Sequence, residues 1–171
     1  MTRKVLLTGR PGSGKTTMLK GVVTKLSVPA GGFYTEEIRE GRERVGFKIV
    51  TLEGQQALLA HINFKTPERV GKYGLDLSGL QIVGVEAIRT AVRAHRLVLI
   101  DEIGPMEIRS TIFCEAVNEA FASGSPVLAT ITARSFPFTN KIKRRPDVTL
   151  VEVRRDNRER LVCELSEQFT A

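Results

Sequence analysis

Eight consecutive residues, Gly9-Arg10-Pro11-Gly12-Ser13-Gly14-Lys15-Thr16, match the phosphate-cradling pattern G-x-x-x-x-G-K-[ST] at every fixed position. Each position has a mechanical task. The glycines let the backbone curl until successive N–H groups converge on a phosphate, at places where a Cβ would intrude. Lys15 has the reach and charge for the β- and γ-phosphates, and the Thr16 hydroxyl is a hard oxygen ligand for Mg²⁺. Thr17 continues the same segment. Gly9 to Thr17 are therefore the predicted nucleotide-binding residues.

A second constellation lies in the middle of the chain. Leu97-Val98-Leu99-Ile100 is a continuous apolar run that ends in Asp101, the Walker B form. A buried strand of this kind carries a carboxylate to its carboxyl end, where Asp101 joins Thr16 as a metal ligand. Glu102 follows directly, well placed to line up a water on a γ-phosphorus and take its proton. Such a positioned base contributes roughly 10²–10⁴-fold. Glu107 is the rival base, because the Gly104-Pro105 turn can fold it back toward the phosphates. Charge developing in the transition state calls for a further cation, and Arg134, just past the apolar run Val127–Ile131, is the candidate. Arg10 and the Lys141–Arg145 group, with Lys143, Arg144 and Arg145 as a lid, are the other options.

These residues need a strand–loop–helix frame, and the sequence supplies one. Lys4 to Thr8 reads as a buried strand and Thr16 to Leu26 as a helix, so the loop delivers phosphates to a helix N-terminus. Gly31–Ile38, Val45–Val50 and Gln56–Ile62 read as an antiparallel β-meander, with a polar turn at Arg39–Glu43. Leu75 to Gly84 fits neither period. Val85–His95 has helical spacing, with Val85, Ile88, Ala91 and Val92 on one side. Ile112–Phe121 is helical and stops at Ser123-Gly124-Ser125-Pro126. Val127–Ile131 and Val148–Val153 read as further buried strands, and Asn157–Phe169 as a closing amphipathic helix. The alternation predicts one α/β domain over residues 1–171, a parallel sheet between helices with a β-rich insertion after the first helix.

The 171 residues suffice for one core, and neither a membrane span nor a signal-peptide pattern is present, Met1–Lys4 leading into a strand. Cys114 and Cys163 lack metal-motif spacing and fall on apolar helix faces, which predicts buried thiols in a reducing cytoplasm. The net charge is +7, and +4 of it falls between Lys141 and Arg160. A site that attracts polyanionic nucleotides accounts for this as well as a nucleic-acid footprint does. His61 and His95 stand apart from each other and from carboxylate pairs. Phe33 and Tyr34 suit core packing better than stacking on a base, and nothing reads a particular base.

On these residues the chain resembles the THEP1-type nucleoside-triphosphatases. The resemblance is carried by Gly9–Thr17, Gly32-Phe33-Tyr34-Thr35-Glu36-Glu37, Arg69-Val70-Gly71-Lys72-Tyr73-Gly74 and, most distinctively, Asp101-Glu102-Ile103-Gly104-Pro105-Met106-Glu107. It continues more weakly to Asn157-Arg158. It implies a RecA-like P-loop fold, three layers α/β/α, with an added catalytic glutamate. It also implies slow, Mg²⁺-dependent hydrolysis of several nucleoside triphosphates with little base selectivity. Asp101 becomes the magnesium acid and Glu102 the base. Thr130-Ile131-Thr132-Ala133-Arg134 departs from the pattern in lacking the His that often follows this strand.

Two other classes remain at this point: a small-molecule or nucleoside P-loop kinase, and a nucleic-acid-associated protein switched by nucleotide. Glu102 favours water as the acceptor, since a kinase must keep water from the γ-phosphate. A monomer is expected.

Overall fold

Lys4–Thr8 forms β1, and its side chains alternate between two apolar layers: Leu6 packs into one and Val5 and Leu7 into the other. Such two-sided burial is why the run is continuously apolar. The computed structural model describes residues 2–171, and Met1 lies outside the described residues. In chain order the remaining elements are α1 (Lys15–Lys25), β2 (Ala30–Glu40), β3 (Glu43–Thr51), β4 (Gln56–His61), β5 (Arg69–Val70), β6 (Tyr73–Leu75), a helical turn α2 (Leu77–Gly79) and a π-helical stretch (Leu80–Val85). Then follow α3 (Glu86–Arg93), β7 (Leu97–Ile103), a 3₁₀ turn (Glu107–Arg109), α4 (Thr111–Ala122), β8 (Val127–Ile131), α5 (Pro137–Lys143), β9 (Thr149–Glu152) and α6 (Arg158–Thr170).

Among the described residues all nine strands join one sheet in the order β5-β6-β4-β3-β2-β7-β8-β1-β9. From β2 to β9 the pairs are parallel, and from β2 to β5 they are antiparallel. β2 belongs to both parts. Its first residues, Ala30–Phe33, pair with β7, and Phe33–Glu40 pair with β3. Helices α1 and α6 cover one face through Met18, Leu19, Val22, Leu161 and Leu165. The other face is closed by α3 and α4 through Ile88, Phe113, Val117 and Phe121. Each such side chain contributes about 1.5–3 kcal/mol on burial. Among the described residues no helix is long and apolar enough to cross a membrane.

Two expectations need correction, and one unassigned stretch is resolved. Thr149, Leu150 and Glu152 of β9 are exposed, because β9 is the sheet's edge and is not enclosed by strands on both sides. Cys163 is exposed and Cys114 half-buried, since the apolar stripe of α6 runs through Leu161, Leu165 and Phe169 and leaves Cys163 beside it. The unassigned stretch Leu75–Gly84 holds the π-helical turn, whose wide spacing buries Leu80 together with Gly84 and Val85. That spacing departs from the 3.6-residue period, so no regular pattern shows.

Candidate active site

The loop Gly9–Gly14 joins β1 to α1 on the carboxyl side of the parallel strands. Gly14 is left-handed at φ 92°, a conformation that glycine adopts without a Cβ penalty. The turn is held by Ser13 N–H to the Arg10 carbonyl at 3.0 Å, and α1 opens with Met18 N–H to the Gly14 carbonyl at 2.9 Å. No acid sits in the first turn of α1, so nothing on that turn neutralises the helix end. The Lys15 ammonium, largely buried, folds back over the loop and donates to the Gly9 carbonyl at 2.8 Å. The Ser13 hydroxyl is buried within the loop without a hydrogen-bond partner among the described residues. A cradle with an orphaned donor and a lysine satisfied only by carbonyls fits an incoming phosphate.

Asp101 is fully buried and ties three elements together. Its Oδ1 accepts from the Thr16 hydroxyl of α1 at 3.2 Å and the Thr130 hydroxyl of β8 at 2.6 Å. Its Oδ2 accepts from both the N–H and the hydroxyl of Thr35 on β2 at 3.3 Å. Burial pushes the carboxyl above the usual aspartate range, and these hydrogen bonds pull against that. The pairing register between β7 and β8 shifts between Ile100 and Ile103, so the ladder is irregular where Asp101 and Glu102 stand, as is common beside functional sites. Thr16 and Asp101 form an oxygen-only pair in contact, and no group of three His, Cys, Asp or Glu side chains suited to a metal occurs among the described residues. One carboxylate and one hydroxyl, completed by phosphate and water, is a donor set that fits Mg²⁺.

A cavity of about 360 Å³ joins these parts. Gly9, Pro11 and Lys15 form its floor, Glu102, Glu107, Thr132 and Arg134 one wall, and Arg44, Phe47, Leu59 and Val70 of the insertion the other. Glu102 is raised above the usual glutamate range by burial, with nearby Asp101 adding to the shift and Lys15 opposing it. Glu107, almost fully buried, is raised well above that range by burial and by repulsion from Glu102. The two carboxylates approach each other across Gly104. A Cβ there would stand 2.5 Å from Glu102 Oε1 and 3.1 Å from Glu107 Oε2.

Most predicted site residues thus meet. Lys15, Glu102, Glu107 and Arg134 share the cavity, and Thr16 reaches Asp101. Arg134 is exposed, with its guanidinium over the Phe136 ring at 5.1 Å. Arg10, Gly12 and Thr17 are exposed, and neither they nor Ser13, Gly14, Thr16 and Asp101 line the cavity. The Lys141–Arg145 group does not act as one unit. Lys143 reaches the Arg134 carbonyl, whereas Arg145 bonds Asp147 and the Phe121 carbonyl beside Lys4, at the opposite end of the sheet. Phe33 is core, edge-on to Phe113. Thr35 and Thr130 went unassigned in the sequence, although Thr35 lies in the conspicuous Gly32–Glu37 string. The insertion residues of the cavity wall carry no local signature, because only the fold brings them there.

Comparison with known proteins follows the same lines. The NTPase family model matches residues 4–166. The nucleoside-triphosphatase THEP1 of Thermotoga maritima is 47% identical over 162 residues, which cover 95% of this chain and 92% of that protein. The human cancer-related nucleoside-triphosphatase is 35% identical, covering 96% and 95% of the two chains. The crystal structure of THEP1 from Aquifex aeolicus superposes with a TM-score of 0.91 at 32% identity, over 98% of this chain and 99% of that one. The solution structure of the human protein gives 0.81 at 34% identity, over 98% and 97%. With the phosphate cradle, the buried Asp101 and the neighbouring Glu102 all in place, the chain belongs to the NTPase family, alongside the THEP1 nucleoside-triphosphatases.

Proposed function

We propose that this protein hydrolyses nucleoside 5′-triphosphates to diphosphate and phosphate, with Mg²⁺ and with little selectivity for the base. The carrying observation is that Lys15 and Glu102 line one cavity whose floor is the phosphate cradle. A water oxygen there attacks the γ-phosphorus and the bond to the β,γ-bridging oxygen breaks. The water proton passes to the Glu102 carboxylate, and the diphosphate leaves. Lys15 holds the β/γ end, and Arg134 offers a cation on the side where charge develops. Bound between Thr16, Asp101 and the phosphates, Mg²⁺ would neutralise charge on the terminal oxygens. The free cysteines support a reducing, cytoplasmic setting. A monomer suffices, since one chain supplies every group used.

One observation favours a second reading. Beyond Glu102 the cavity continues between Phe47, Leu59, Val70 and Met106, an apolar space that an acceptor molecule could fill in a phosphotransferase. Phosphate release from ATP, GTP, CTP and UTP, with and without Mg²⁺ and in the absence of any acceptor, decides between them. Comparable Mg²⁺-dependent release from all four supports the hydrolase. No release without an added acceptor refutes it.

A further inference from the structure

Two helix N-termini meet beside the phosphate cradle. α1 begins at Lys15 and α6 at Arg158. Helix N-termini carry partial positive charge, so a cation at either is disfavoured unless an anion joins it. Yet the half-buried Arg158 lies on the cradle itself. A side chain added at Gly14 would collide with the Arg158 guanidinium at Nη1 and come within 2.9 Å of its Cδ. Of the neighbouring arginines, Arg154 pairs with Glu152 and Asp156 and Arg160 with Glu164, whereas Arg155 is exposed to solvent. Arg158 makes no ion pair or hydrogen bond among the described residues, Glu159 beside it included. Two helix ends thus flank an unpaired guanidinium. Local rules broken in this way mark functional positions.

The position of Arg158 is set by its surroundings. Asn157 is buried, accepts from the Arg154 N–H at 2.8 Å and donates to the Glu152 carbonyl at 2.9 Å. Val153 N–H donates to the Thr8 carbonyl at 2.7 Å, which ties the segment to the start of the cradle. Further along, α6 packs against α1 where Val162 meets Gly21. The sheet order then fixes the direction of a bound polyphosphate. Asp101 and Glu102 end β7, which lies across β8 from β1, whereas β9 and α6 lie on the other side of β1. With its terminal phosphate at Glu102, the ligand runs over the cradle toward α6. On that course the phosphate remote from Glu102 lies on the α6 side of the cradle.

We propose that Arg158 is a nucleotide-binding residue that holds the α-phosphate at the junction of α1 and α6, with equal effect on all four bases. The inference rests on the nucleotide reading of the cradle and adds the contact that anchors the end remote from the chemistry. Arg158→Met keeps the aliphatic stem and its packing while removing the charge. Arg158→Lys keeps the charge and loses the fork.

The test is calorimetric binding of ADP, GDP, CDP, UDP and inorganic tripolyphosphate to wild type and both variants, with unfolding midpoints and steady-state phosphate release alongside. In Arg158→Met the Kd for all five ligands should rise by a common factor of about ten or more, the range for a charge-assisted hydrogen bond. Arg158→Lys should recover part of it, and KM for ATP should rise far more than kcat falls. Unchanged affinity overturns the proposal. So does weakening confined to purine nucleotides, or weakening that spares tripolyphosphate, since either assigns the contact to base or ribose. A loss in kcat alone would move Arg158 to the γ-phosphate. A lowered unfolding midpoint with no recovery in Arg158→Lys would reduce it to a packing residue. If wild type binds ADP but releases no phosphate, the hydrolase reading fails, and the Kd comparison still decides Arg158.

Discussion

Gly104→Ala is a methyl-sized perturbation aimed at the spacing of two carboxylates. The new Cβ would stand 2.5 Å from Glu102 Oε1 and 3.1 Å from Glu107 Oε2, where ordinary contact begins at 3.4 Å. Glu102 must therefore withdraw its carboxylate by about 1 Å, and a misplacement of that size can cost about 10²-fold in rate. Stability should hardly change. The atoms in the way are the ends of flexible side chains, and a shifted rotamer costs about 0.5–1.5 kcal/mol. Gly104 does not have a positive φ, so replacing glycine returns about 0.4–1 kcal/mol by restricting the unfolded chain. The expected result is kcat for phosphate release down by about 10²-fold, with the ADP Kd unchanged and the midpoint of urea unfolding equivalent to within about 1 kcal/mol. A variant with kcat within about threefold of wild type would refute the reasoning, because it would mean that the position of Glu102 does not set the rate.

Glu102→Gln should bind nucleotide normally while kcat drops by roughly 10²–10⁴-fold; near-full phosphate release would transfer the base role to Glu107. Lys15→Ala removes the cradle's buried ammonium, and ADP affinity measured by calorimetry should weaken by about tenfold or more, with turnover falling too. Unaltered affinity would contradict the pocket. Glu107→Gln tests the cost of the buried carboxyl: its folded pKa is raised above the unfolded value, so wild type loses stability as pH rises from the ordinary glutamate range through the raised folded value. Glutamine escapes that loss, and its advantage in urea unfolding should grow between pH 5 and pH 8 by on the order of 1–3 kcal/mol. Parallel pH curves for the two proteins would show that the burial of Glu107 has no such cost.

Local signals were legible where a function needs adjacent residues. The cradle from Gly9 to Thr16 and the step from Leu97–Ile100 into Asp101 and Glu102 can be read directly, because one strand end and one loop do the work. The parallel core was legible for the same reason, since burial on both faces leaves continuous apolar runs such as Val127–Ile131. Longer-range facts left weaker traces. β9 reads as a core strand from Val148–Val153, yet its place at the sheet edge depends on pairing with β1 at a separation of well over a hundred residues. β5 and β6, two and three residues long, are too short to carry a period. The half-buried Thr35 and the buried Thr130 that hold Asp101 come from β2 and β8, and no spacing rule links either to a carboxylate on β7.

The same distinction explains why the insertion matters chemically. The meander reads as a mere appendage to the α/β core, yet β2 runs unbroken from the parallel pairing with β7 into the antiparallel pairing with β3. That continuity brings three strands of the insertion to the site. Thr35 is held to Asp101, and the apolar residues Phe47 and Leu59 are carried over the cavity mouth as a wall. Burial in this space raises Glu102 and Glu107 above the usual glutamate range, and excluding water strengthens the charge interactions within it. β2 thus carries Thr35 to Asp101 while β3 and β4 bring Phe47 and Leu59 to the cavity, so the insertion shapes the space around Glu102.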